Sequence, residues 1–148
     1  MHEYEVKVTW EPGDEPYKRL GTLASDEKAD ITFATPPEFK QGIPGYWSPE
    51  HLFVGAASIC MATTFLVVAQ SSKLQFERFR IESVGILDDV EVDGKKQEQI
   101  TEIHEKFYLQ LTSPKDEEKA KKIVQKSRQV CLIANSMKSN VIAETIFE

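Results

Sequence analysis

Residues 46–60, "YWSPEHLFVGAASIC", and their continuation 61–70, "MATTFLVVAQ", decide how the rest of the chain reads. Ser48 is a good helix N-cap. Pro49 suits the first helical position, where no amide hydrogen bond is lost, and Glu50 sits where the helix dipole favours an anion. The pattern predicts a helix from there to about Ser72. From Leu52 to Ala69 it carries no charge, a length that raises the question of a membrane span. Its middle, "GAAS" and "MATT", is small and weakly polar. Neither end has a Lys/Arg cluster or an aromatic belt, so no membrane is expected. A helix apolar on all sides is otherwise the buried centre of a fold. In a chain of 148 residues full burial calls for cover beyond its own sheet, most simply a second subunit.

Upstream, "EYEVKVTW" (3–10) alternates Tyr4, Val6, Val8 and Trp10 with polar residues, as a strand with one buried face does. "EPGDEP" (11–16) reads as a turn. "YKRLGTLAS" and "ADITFAT" read as short strands, and "PPEFKQGIPGY" as an irregular loop. Downstream comes a long hairpin with arms at about Phe76–Val92 and Gln97–Thr112. Asp93-Gly94 makes the reversal. Ile103, Phe107, Leu109 and Leu111 share one face. "SPKDEEKAKKIVQKSRQ" starts a second helix with Ser113 as cap, "VCLIANSMKSN" is a short helical segment, and "NVIAETIF" closes the chain as a strand. The order β-β-β-α-β-β-α-α-β reads as an α+β fold of antiparallel strands, one domain over residues 1–148.

Net charge is −6 with a pI near 5.2, which argues against nucleic acid as a partner. Lysines cluster only on the second helix, beside acids, as on a solvated face. "MHEYEVKVTW" lacks the basic and apolar regions of a signal peptide, so a cytoplasmic location is expected. The chain has two cysteines, Cys60 and Cys131. They are either buried apolar side chains or a functional thiol pair, not a disulfide framework. No short ligand spacing links them to His2, His51 or His104, so no metal is expected.

A thiol reacts as its thiolate. Cys60 lies too far into its helix for the N-terminal dipole to help, and apolar surroundings raise its pKa. If Cys60 is reactive, a cation must come from elsewhere. Of Arg19, Arg78, Arg80 and Arg128, the last three sit on solvated faces, which singles out Arg19. Glu50 lies roughly 15 Å from Cys60 along the helix. It can serve the thiol only through a long side chain or across a helix pair in a dimer.

"SPEHLFVGAASICMATTF" (48–65) resembles the central-helix motif of the OsmC/Ohr family of organic hydroperoxide reductases. "VCLIANSMKSNV" (130–141) is similar to the family's second cysteine motif, and "RLGTLAS" (19–25) to its N-terminal arginine motif. The resemblance implies an OsmC-like intertwined homodimer with sites at the interface. It implies that Cys60 is the peroxidatic cysteine, Cys131 the resolving cysteine, and Arg19 the arginine that Glu50 holds. The expected activity is reduction of organic hydroperoxides to alcohols in oxidative-stress defence. It runs through a Cys60 sulfenic acid and a Cys60–Cys131 disulfide. No cofactor is expected beyond an external dithiol reductant, lipoyl-type or thioredoxin-like. Phe39, Tyr46, Trp47 and Phe53 are candidates to line an apolar substrate pocket. The chain departs from the family pattern at Tyr17-Lys18 before Arg19, usually Gly-Gly, and at Leu132 after Cys131, usually Pro. The competing reading is a non-catalytic OsmC-like dimer that binds a small apolar molecule and keeps its thiols for structure.

Overall fold

The computed structural model describes residues 1–15 and 17–148, in two compact units, Met1–Leu52 and Phe53–Glu148. In the first, β1 (Lys7–Thr9), β2 (Leu20–Ala24) and β3 (Ile31–Ala34) form an antiparallel sheet in chain order. The expected strand over 3–10 shrinks to Lys7–Thr9, and its expected buried face is open. Tyr4, Val6, Val8 and Trp10 are all exposed, Val8 to 62%. Alternation specified a strand face, but no described part of the chain lies over it. The turn at 11–16 is described as far as Glu15; Pro16 lies outside the described residues. After β3 the Pro-rich loop folds back on the sheet. The Ala34 N–H donates to the Trp47 carbonyl (2.9 Å) and Ile43 N–H to Thr35 (2.9 Å).

Helix α1 spans Pro49–Ser71, within a residue of the predicted end. Ser48 caps it, its Oγ accepting the His51 N–H (3.2 Å) and lying 2.8 Å from His51 Nδ1. This side chain satisfies one of the orphan donors of the first turn.

In the second unit, β4 (Phe76–Val92) and β5 (Lys95–Leu111) pair antiparallel up to the reversal at Asp93-Gly94. Both turn residues have positive φ, 51° and 74°, the conformation a two-residue hairpin needs and glycine adopts freely. A turn this tight lets pairing begin at Lys95, ahead of the predicted Gln97. A 3-10 turn, Pro114–Asp116, precedes α2 (Glu117–Val130). Ser113 makes no side-chain cap bond, so the Ser-Pro start opens this turn and not α2. Then come α3 (Leu132–Ser136) and β6 (Asn140–Phe147). The sheet order is β4-β5-β6, and β6 runs parallel to β5. This corrects the expectation of antiparallel strands for β6: α2 and α3 form the crossover that returns the chain to the middle of β5, where Asn140 lies opposite Glu102.

Helix α1 is long and apolar enough to cross a membrane, with a mean hydropathy of 2.2 over its most apolar window. It buries one stripe, Ala57, Met61, Phe65 and Ala69, four residues apart on a single face. Phe65 packs edge-on to Phe76 and Phe79 and tilted against Phe107, 4.6 Å from the Phe107 ring. These pack with Met61, Leu109, Ile123 and Val124 into the main core. Closer to the N-terminus of α1, Gly85 of β4 lets the helix approach; a Cβ there would lie 2.5 Å from Val54 Cγ2. The expectation of all-round burial holds along this stripe only. On the other side Ile59, Leu66 and Val67 are 67%, 47% and 63% exposed within the chain.

Candidate active site

The second cluster under α1 contains both cysteines. Ala57, Ile103, Cys131, Ala134 and Val141 are buried together, with Cys60, Val54, Ile100 and Met137 packed against them. Cys131 is the single extended residue (φ −65°, ψ 109°) between α2 and α3, so it ends one helix and starts the next. This break aims the first amides of α3 at Cys60. The Ile133 N–H donates to Cys60 Sγ at 3.5 Å, and Thr64 Oγ1, one turn along α1, lies 3.9 Å from the same sulfur.

Short α3 is held in place by side chains. Arg128 Nε donates to the Val141 carbonyl (2.6 Å) and Nη1 to Asn135 Oδ1 (3.3 Å). Asn135 Nδ2 donates to the Gln129 carbonyl (2.9 Å). Arg128 therefore ties α2, α3 and β6 together.

The two thiols titrate apart. Burial is the largest influence on Cys60 and raises its pKa. Hydrogen bonds from the Ile133 N–H, the Cys131 thiol, the Thr64 hydroxyl and the Leu132 N–H outweigh it, and the net shift is downward. Cys131 is pushed up to about 11, first by burial, with the negative charges of Cys60 and Glu105 adding to it against the Ala134 N–H. Environments that split two like groups this way separate the thiolate from the thiol. The cation sought for Cys60 is here replaced by backbone N–H groups. Leu132, where the family motif usually has proline, keeps an N–H that proline lacks, and that N–H is among the donors.

Of the other candidates, Glu50 lies in the first turn of α1, its Oε2 buried without a hydrogen-bond partner among the described residues. Arg19, just ahead of β2, is exposed and makes no ion pair or side-chain hydrogen bond among the described residues. The structure does not join these two. Phe39, Tyr46 and Trp47 lie in the loop after β3, the last edge-on to His51 (6.4 Å), and Phe53 lies on α1. Arg80 is exposed as expected, paired with Glu82 and Glu148. Sequence reading missed the amides of Leu132 and Ile133, the brace made by Arg128, and Glu105, which is 1% exposed with neither carboxylate oxygen hydrogen-bonded among the described residues. Glu105 had a signal: the alternation that puts Ile103, Phe107 and Leu109 on the inner face puts Glu105 there too.

Together these features define an α+β protein with one free thiol on its central helix and a second buried beneath that helix. A family model described as OsmC-like protein matches residues 42–145, and the chain belongs to that family. A solved OsmC-like protein of unknown function from Vibrio cholerae is 25% identical with a TM-score of 0.85, over 99% of this chain and 100% of its own. An organic hydroperoxide resistance protein from Legionella pneumophila is 20% identical (TM-score 0.71, covering 100% of this chain and 99% of its own). The organic hydroperoxide resistance protein OhrB of Bacillus subtilis is 21% identical (TM-score 0.66, 98% of each chain). No curated protein sequence matches the chain. The family is thus shown by the family model, and the fold is shared with these solved structures.

Proposed function

We propose that the chain is a thiol-dependent peroxidase that reduces organic hydroperoxides to alcohols. The observation that carries this reading is the split pair: Cys60 lowered, Cys131 pushed up to about 11, in one buried cluster. The Cys60 thiolate attacks the distal oxygen of ROOH. The O–O bond breaks, the alkoxide leaves and is protonated to the alcohol, and Cys60 becomes a sulfenic acid. Cys131 sulfur attacks Cys60 sulfur, forming the disulfide and releasing water. An external dithiol, lipoyl-type or thioredoxin-like, then reduces the disulfide by exchange.

In this reading the chain works as a homodimer, with the exposed apolar face of α1 against a second copy. A face with Ile59 67% and Val67 63% exposed is one that water does not favour. Arg19 and Glu50, not joined among the described residues of one chain, would take up their roles only in that dimer, where Arg19 would add its charge to the amides at Cys60. Phe39, Tyr46, Trp47 and Phe53 favour a bulky organic peroxide over hydrogen peroxide.

The test is intact mass after one equivalent of cumene hydroperoxide. Wild type is expected to lose two hydrogens, and Cys131→Ser to gain one oxygen on Cys60. Both thiols surviving in wild type would refute the peroxidase and favour the binding-protein reading.

A further inference from the structure

The reaction leaves one buried ionisable group without a role. Glu105 lies in the inward row of β5 between Ile103, which packs on Cys131, and Phe107 of the main core. Its cross-strand partner on β4 is Ser83, and on β6 it is Ala143, two residues beyond Val141 of the thiol cluster. Ser83 Oγ accepts from Ser58 Oγ of α1 at 2.7 Å, so this row faces the helix that carries Cys60. Arg128 lies near enough to be felt, but its donors go to Val141 and Asn135. The charged and titratable groups near enough to act on Glu105 or feel it are thus Arg128 from α2 and Cys131 from the α2–α3 junction. Its strand neighbours His104 and Lys106, and Glu144 of β6, are exposed on the opposite face. A carboxylate in such a place is costly, and none of the described residues hydrogen-bonds to it.

Resting on the two-thiol peroxidase reading, we propose that Glu105 is the proton store for Cys131. Its carboxylate takes the thiol proton as the disulfide closes, and its carboxylic acid returns a proton as the disulfide opens. In closure, the Cys131 S–H proton passes to Glu105 while the S–S bond forms. The S–O bond of Cys60 breaks, and the departing hydroxide takes a proton from solvent and leaves as water. In opening, the external dithiolate attacks Cys60, the S–S bond breaks, and the Cys131 sulfur takes the proton from Glu105. Cys131 needs this help because it stays protonated at neutral pH. Glu105, pushed up to about 7 chiefly by burial, exchanges protons in the working range.

The test compares wild type with Glu105→Gln from pH 5.5 to 9. Closure is timed after cumene hydroperoxide. Opening by dithiothreitol is timed on disulfide made beforehand with oxidised dithiothreitol. Taking wild-type over variant rates cancels the titration of the reagents. The closure ratio is expected to rise through about pH 7 to roughly 100-fold, while the opening ratio falls through the same pH. The rate of sulfenic acid formation at Cys60 stays equal in both. Ratios flat with pH would overturn the proposal. If wild type does not react with peroxide, the peroxidase reading fails, and the opening ratio still decides the role of Glu105. If the variant does not fold, infrared spectra of wild type closing at pH 8 decide it. A new carboxylic-acid band supports the proposal, and its absence overturns it.

Discussion

Two stretches of one helix and one strand meet in two different ways. Where Phe65 of α1 lies over Phe107 of β5, rings and aliphatic side chains fill the space, from Met61 and Leu109 to Val124. About two turns toward the N-terminus of α1, Ala57 lies with Ile103, and the side chains become small or polar: Cys60, Cys131, Ala134 and Glu105. The first stretch gains free energy from apolar area and close contact. The second gives up both for two thiols, a carboxyl group without a partner and a bend between helices. Stability and chemistry share the same elements but occupy different lengths of them, so each can be altered while the other is watched.

Phe65→Ala is expected to have the largest effect, a loss of about 3–5 kcal/mol of unfolding free energy, measured by urea titration. The ranking of the two thiols in a labelling experiment should survive it. If the ranking is lost, the two stretches are not separable. Glu105→Gln should do the reverse. In the folded state the Glu105 pKa rises from 4.5 to about 7, so the native protein binds the extra proton between those values. Its contribution is fully present below pH 4.5 and lost as pH rises through about 7. At about 1.4 kcal/mol per pH unit, the variant should gain at most about 3 kcal/mol relative to wild type on going from pH 4 to pH 8. Denaturant midpoints at the two pH values would show it, and equal differences at both would mean that the carboxyl is not desolvated.

Arg128→Met keeps the aliphatic stem but removes the bonds to Val141 and Asn135. A loss of about 1–3 kcal/mol is expected, together with a Cys60 thiolate that forms at higher pH because α3 is no longer held. Stability lost with unchanged thiol titration would sever the brace from the chemistry. Smallest in stability, at under about 1 kcal/mol, is Leu132→Pro. Proline fits the first position of α3 yet deletes one N–H that faces Cys60. Thiolate absorbance in Cys131→Ser should place the Cys60 midpoint higher with the proline than without it.

How much of this was legible in the sequence depended on whether the signal was local. Ser48-Pro49 and Asp93-Gly94 act on their own backbone, so the start of α1 and the hairpin reversal could be read directly. The element order followed from such punctuation. The direction of β6 was not legible, because a parallel neighbour is set by where α2 and α3 return the chain. Alternation over Tyr4–Trp10 specified a face, but not whether anything would cover it. At the site, the two cysteines were found by motif. The amides of Leu132 and Ile133 carry no side-chain signature, and Arg128 read as one more cation on a basic helix. Glu105 was readable in principle, as the wrong residue type in an apolar row.

The central claim is that backbone amides ionise Cys60 while burial keeps Cys131 protonated, and differential alkylation tests it most directly. Reduced protein is pulsed with iodoacetamide across pH 5 to 11, and each cysteine is quantified by peptide mass. Cys60 should label with a midpoint below the ordinary thiol value of 9.0, rising as pH passes through its lowered pKa. Cys131 should remain unlabelled until the pH nears about 11. Coincident midpoints, or Cys131 labelling first, would contradict the account.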